Sequence, residues 1–137
     1  YETEFSLKNE DLTRKWIGDV ILNNDAKLGE LNYIFCNDEY LYKLNLKYLN
    51  HDTYTDVISF DNSLGKLISG DIFISVERVE ENAIEYSASK QEELSRVMIH
   101  GVLHFLGFKD KTKDEKVKMR NAENTALNQL SNYKLNI

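Results

Sequence analysis

Three side chains able to hold one cation fall close together in this chain: His100 and His104, four residues apart, and Asp110, six further on, with Gly107 between. Helical residues four apart share a face, with Cβ atoms roughly 5–6 Å from one another, so both imidazoles reach the same ion. Gly107 is suited to end that helix, because glycine accepts the left-handed backbone that closes many helix C-termini. The turn then returns Asp110 towards the histidines. Three protein ligands with one open position, for water, are what a hydrolytic metal site needs. Such an ion could polarise a phosphoryl oxygen and bring the pKa of its water from about 15.7 towards about 7, which makes metal-bound water a candidate nucleophile. No protein general base declares itself. His51, the only other histidine, stays open as an alternative third ligand.

These residues need a frame. Ser89 is placed to cap a central helix whose apolar stripe is Leu94, Val97, Met98, Gly101, Val102 and Phe105, with the histidines along its edge. Before it, the patterning predicts a strand near Thr3 to Leu7 and a helix from Glu10 to Asn23 capped by Asn9. A strand over Leu31 to Cys36 and a helix from Asn37 carrying Tyr40, Leu41, Leu44 and Tyr48 come next. Thr55 to Phe60 reads as a strand, Asp61 to Ser69 as a turn, Gly70 to Ser75 as another strand, and Ser75 as the cap of a helix to Tyr86. A last helix starts near Thr112 and runs to about Leu130. The expected class is α+β, with about four strands and five helices in a single domain, residues 1–137.

Composition narrows the partners. The chain has 17 Lys and Arg against 23 Asp and Glu, a net charge of −6, whereas nucleic-acid binders usually carry an excess of bases. The distribution runs the other way locally: Lys109, Lys111, Lys113, Lys116, Lys118 and Arg120 follow the histidine helix directly, against Asp110, Asp114 and Glu115. A solvated helix face and a phosphate-contacting face are both open for these residues. The lone Cys36, in the run Tyr33-Ile34-Phe35-Cys36, is expected to be a buried thiol in a reducing compartment. No apolar run approaches the roughly 18 residues of a membrane span and no signal segment is evident, so a cytoplasmic protein without membrane contact is expected.

The spacing His-x-x-x-His-x-x-Gly-x-x-ligand resembles that of the metzincin proteases, whose general-base glutamate follows the first histidine. Here that position is Gly101. A zincin-like peptidase is therefore the weaker alternative. Two more segments carry a fuller resemblance: Asn45 to Phe60, ending Thr55-Asp56-Val57-Ile58-Ser59-Phe60, and Gly70-Asp71-Ile72-Phe73-Ile74-Ser75. With the histidine segment they resemble the YbeY family, in the same order and over about two thirds of the chain. The resemblance implies a metal-dependent bacterial endoribonuclease preferring single strands. It further implies a role in ribosomal RNA maturation, notably at the 3' end of the small-subunit RNA, and in ribosome quality control. Its fold would be a four-stranded sheet packed by helices, with zinc on three ligands and a site at the end of the central helix. Ribosomal RNA, and ribosomal proteins with it, become the expected partners.

Two positions depart from that pattern. The family's third ligand is usually histidine, and here Asp110 stands in its place; two histidines with a carboxylate suit zinc, iron(II) and other divalent ions. The arginine that commonly follows the tyrosine of the first motif is here Leu49, and Arg96, four residues before His100, is the candidate to replace it. Thr55, Asp56 and Ser59 are candidate substrate residues on the site floor, with Tyr54 as a stacking residue and Lys109 as a phosphate contact. Tyr48 is expected to pack inward, and Asp71 to fix a strand end. Water and the RNA's own 2'-hydroxyl both remain open as nucleophile. A ribosome-associated RNA-binding protein with a structural metal is the remaining alternative.

Overall fold

The computed structural model describes residues 1–50 and 55–135, so the expectations placed on His51 and Tyr54 lie outside the described residues. Its elements are α1 (Glu10–Asn23), β1 (Lys27–Cys36), α2 (Asp38–Leu49), β2 (Val57–Asp61), β3 (Leu67–Ser75), α3 (Val76–Glu85), α4 (Lys90–Phe105) and α5 (Lys113–Leu135). The class is α+β, as expected, but the described sheet has three strands and not four, in the order β1-β3-β2. β3 lies between β1, which it pairs in parallel, and β2, which it pairs antiparallel.

The missing strand is the one expected at Thr3 to Leu7. Glu2 donates its backbone N–H to the Phe35 carbonyl, and the chain then folds back instead of extending along β1. Tyr1 and Phe5 pack their rings on Phe35, at centroid distances of 5.6 and 5.0 Å, and the Leu7 N–H bonds to the Tyr1 hydroxyl. Aromatic burial outcompetes a second ladder here. β1 and β3 instead run longer than the apolar pattern foretold. Lys27 and Leu28 pair with Leu67 and Ile68 ahead of an irregularity before Leu31, bridged where Glu30 N–H donates to Ser69 Oγ.

Most helix starts follow their caps. The side chains of Asn37, Ser75 and Ser89 accept from the N–H groups of Tyr40, Arg78 and Glu92, each satisfying a donor the helix leaves free. Asn9 occupies the cap position of α1 in the left-handed region, but its side chain makes no capping bond. Cys36 is fully buried, as expected.

α4 is the pivot of the molecule. It touches α1, α3, α5, β2 and β3, and buries Leu94, Val97, Met98, Ile99, Val102, Leu103 and Phe105. Gly101 lets it lie close on the sheet, since a Cβ there would stand 2.9 Å from Ile72 Cδ1 and 3.2 Å from Ser59 Oγ. A glutamate at this position, as in the metzincins, has no room. α1 is tied to α5 by the buried Trp16 indole, which donates to the Ala126 carbonyl at 2.7 Å. No helix of the described residues is long and apolar enough to cross a membrane.

Candidate metal centre

α4 delivers both imidazoles and its terminus delivers the carboxylate. After Leu106 the helix closes with Gly107 at φ 102°, where Gly107 N–H donates to His104 O and Phe108 N–H donates to Leu103 O. This is the paired-bond stop that a glycine permits, with Phe108 and Leu103 as its usual apolar partners. Three residues later Asp110 Oδ2 stands 3.3 Å from His100 Nε2 and 3.4 Å from His104 Nε2, while the two Nε2 atoms are 3.0 Å apart. Bond lengths of about 2.0–2.2 Å in a tetrahedral site separate donor atoms by about 3.3–3.6 Å. An octahedral site with bonds of about 2.1 Å separates them by about 3.0 Å. The observed triangle fits a small divalent ion in either geometry.

The hydrogen bonds behind the triangle decide which atoms face it. His100 Nδ1 is 2.7 Å from Glu123 Oε2, and His104 Nδ1 is 3.1 Å from the Phe108 carbonyl. A carboxylate and a carbonyl only accept, so both Nδ1 atoms carry the proton and both Nε2 atoms present lone pairs. Two nitrogen lone pairs and a carboxylate oxygen thus converge at close range. Such a set wants a cation. In its absence His100 takes up a proton more readily than usual: burial opposes the charge, but the bond to Glu123 and the charges of Glu123, Asp110 and Asp56 outweigh it. Glu123 moves the other way. Burial would raise its pKa, yet its bonds to His100 and Arg96 hold it below the ordinary glutamate value.

The triangle opens into a cleft of about 580 Å³ lined by Asn45, Leu49, Thr55, Asp56, Ser59 and Asp61 opposite the ligands. Here the comparisons with known proteins bear on the site. The family model described as Endoribonuclease YbeY matches residues 2–131. The chain belongs to the YbeY endoribonuclease family. It is 56% identical to the Endoribonuclease YbeY of Flavobacterium johnsoniae, covering 90% of this chain and 88% of that one. With that of Christiangramia forsetii it shares 54% identity over 89% of this chain and 85% of the relative. A solution structure from Thermotoga maritima, 24% identical, superposes with a TM-score of 0.65 over 93% of this chain and 89% of that chain, which establishes the likeness of fold.

The residues singled out in the sequence separate into two groups. Thr55, Asp56 and Ser59 line the cleft with His100, His104 and Asp110. Asp56 accepts from Asn82 Nδ2 at 3.2 Å, and burial raises its pKa against the opposing pull of its backbone bonds, His100 and Arg78. Arg96 lies elsewhere. Its guanidinium donates to Glu123 Oε1 at 2.8 Å and Asn124 Oδ1 at 3.0 Å, and it borders a separate hollow between α4 and α5. Lys109 is exposed beside Asp110 and does not line the cleft. Asp71 accepts from Asn32 across the β1–β3 pair, away from the cleft. Tyr48 does not pack inward: it is 58% exposed, with an edge-on contact to Phe60 and Lys47 Nζ 5.1 Å from its ring centroid.

Two site residues escaped the sequence reading, Asn45 and Glu123. Asn45 is a buried polar residue of α2 at the cleft wall. Glu123 left a readable signal, because Met119, Ala126 and Leu130 form the buried stripe of α5 and position 123 falls within it at helical spacing. An acid in a core stripe needs a partner, and here the partners are His100 and Arg96.

A second buried acid gives a pH-dependent expectation. Burial raises the pKa of Glu93 on α4, and the neighbouring charge of Asp56 adds to this. A raised folded pKa means that the native state binds the proton more tightly than the unfolded chain. Stability is therefore full below the ordinary value of 4.5 and is lost as pH rises through the folded pKa. Glu93→Gln is expected to raise the melting temperature at about pH 8 and to leave it unchanged at about pH 4. Equal shifts at both pH values would refute this origin.

Proposed function

We propose that this chain is an endoribonuclease that cuts single-stranded RNA during maturation of ribosomal RNA, using a divalent cation held by His100, His104 and Asp110. Membership of the YbeY family supports the RNA substrate and the nuclease reaction. The observation that carries the chemistry is the convergence of two Nε2 lone pairs and a carboxylate oxygen at the edge of a polar cleft. Zinc is the first choice of ion, with iron(II) or manganese admitted by the carboxylate. The spacing at the end of α4 is zincin-like, while the crowded Gly101 supports RNA over peptide as substrate. The proposed setting is the cytoplasm, with ribosomal RNA, its small-subunit 3' end and adjoining ribosomal proteins as partners.

A cation in this position supplies a Lewis acid for a phosphoryl oxygen and makes water reactive near neutral pH. The protein's own residues do the rest. Glu123 and the Phe108 carbonyl keep the Nδ1 protons in place and so hold both rings in ligating orientation. Asp56, whose carboxyl keeps its proton to higher pH than an ordinary aspartate, is the cleft residue suited to exchange a proton with the scissile oxygens. Asn45, Thr55 and Ser59 offer polar groups along the same wall for orienting the sugar and phosphate.

Chelation followed by metal restoration tests this reading. Stripped protein is expected to stay folded, because the core under α4 is apolar and independent of the half-exposed ligands, but to stop cutting single-stranded RNA until zinc, manganese or iron(II) is returned. Unfolding on chelation, seen by circular dichroism, would instead mark the metal as structural. A duplex of the same sequence is expected to be cut more slowly.

A further inference from the structure

The cleft accounts for Asp110 but not for the cations that surround it. Lys109, Lys111, Lys113, Lys116 and Lys118 lie within ten residues, in a chain of net charge −6, and all five are exposed. The Arg and Lys ion pairs of the described residues use Arg14, Lys15, Arg78, Lys90, Arg96 and Arg120, and none uses these lysines. Of the three nearby acids, Asp114 is exposed among the lysines and the other two are committed otherwise. Asp110 faces the histidines, and Glu115 closes a capping box in which its Oε1 accepts from the N–H groups of Lys111 and Thr112 while Thr112 Oγ1 accepts from Glu115 N–H. That box pins the connection between α4 and α5 and fixes where the lysines point from.

Their placement along α5 has a direction. Lys113, Lys116, Arg120 and Glu123 follow at helical steps of three and four, so they form one row down the side that meets α4, and Glu123 ends it at His100. Lys118 falls on the far side, by a hollow shared with Val20, Asn23 and Thr125. Exposed lysines that begin on either side of Asp110 in the chain and continue as Lys113 and Lys116 down α5 are placed for a polyanion leaving that ligand's cleft.

Resting on the RNA reading above, we propose that Lys109, Lys111, Lys113 and Lys116 form a phosphate track that holds single-stranded RNA flanking the cut, on the Asp110 side of the cleft. The track is a positioning surface and takes no part in bond cleavage. It reads phosphate and not base, since lysine is a point charge without the fixed fork that specifies a base edge.

The test is binding of a fluorescently labelled single-stranded RNA, by anisotropy, across a series of KCl concentrations in the presence of chelator. Each phosphate contact contributes roughly 0.7 to the slope of log affinity against log salt for a single strand. Lys113→Gln and Lys116→Gln are each expected to lower the slope by about that amount, and the fourfold Lys109→Gln, Lys111→Gln, Lys113→Gln, Lys116→Gln variant by about 2–3. Lys118→Gln is expected to leave it unchanged. A fourfold variant with the wild-type slope overturns the track, as does one that keeps RNA binding but loses binding to poly-glutamate, which would assign the surface to an acidic protein. The cleavage reading fails separately: RNA bound with a lysine-dependent slope but never cut with metal present upholds the track and sinks the nuclease.

Discussion

His104→Ala and Asp110→Ala are expected to purify as folded proteins that carry no stoichiometric metal and leave single-stranded RNA intact. Each change removes one of three donor atoms whose separations of 3.0–3.4 Å match the edge of a small cation's coordination shell. The loss in metal affinity should exceed the roughly 10–100-fold that outer hydrogen-bond partners typically cost, because here a ligand itself is gone. Cleavage falls with it. Folding should change little, since both side chains stand at the rim of the cleft and surface replacements usually stay within about 0.5 kcal/mol. Elemental analysis of the purified variants and a gel assay of RNA cleavage on the same samples check the two losses together.

Asp110→His makes the companion test sharper. It puts a third imidazole in place of the carboxylate, and is expected to retain metal and cleavage while shifting preference towards zinc, as softer nitrogen replaces oxygen. If Asp110→Ala keeps full metal and full activity, the aspartate is not a ligand, and His51 becomes the third donor to examine by the same substitution.

How far the site could be read from sequence depended on whether its parts were local. His100, His104, Gly107 and Asp110 form one helix and its stop, and the period of the helix together with the backbone freedom of glycine was enough to bring them together. Thr55 and Ser59 share one side of the strand start by its period of two, whereas Asp56, just before β2, reaches the cleft without that period placing it there. The failures were all tertiary. Nothing local in Thr3 to Leu7 distinguishes a fourth strand from a segment that folds its aromatic rings onto Phe35. Arg96 shares a helix face with His100, as its spacing required, but the buried carboxylate of Glu123 takes up its guanidinium before the cleft is reached. Tyr48 fits the inward spacing of α2, yet that helix buries Leu41 and Asn45 and leaves Tyr48 exposed.

Glu123 carries the remaining large expectation. It is almost wholly buried, with one oxygen 2.7 Å from His100 Nδ1 and the other 2.8 Å from Arg96, and Arg120 stands 3.5 Å away. It therefore orients a ligand and anchors α4 to α5 through the same carboxylate. Glu123→Gln keeps the shape and removes the charge. Its amide can still accept from His100 or Arg96 but no longer makes a charged acceptor of both oxygens, so metal affinity should fall by about 10–100-fold with the fold retained. Glu123→Ala removes both bonds as well and should add a stability loss of about 1.5–3 kcal/mol, because the hydrogen bonds broken are to charged groups. Arg96→Ala separates the two effects. It leaves the His100 bond in place, so it should reproduce part of the stability loss and little of the metal loss. A competition titration with a chromogenic chelator gives the affinities, and urea melts of the metal-free proteins give the stabilities. Wild-type affinity in Glu123→Gln would show that the His100 ring is held by packing alone, and the role assigned to this buried acid would then reduce to joining the two helices.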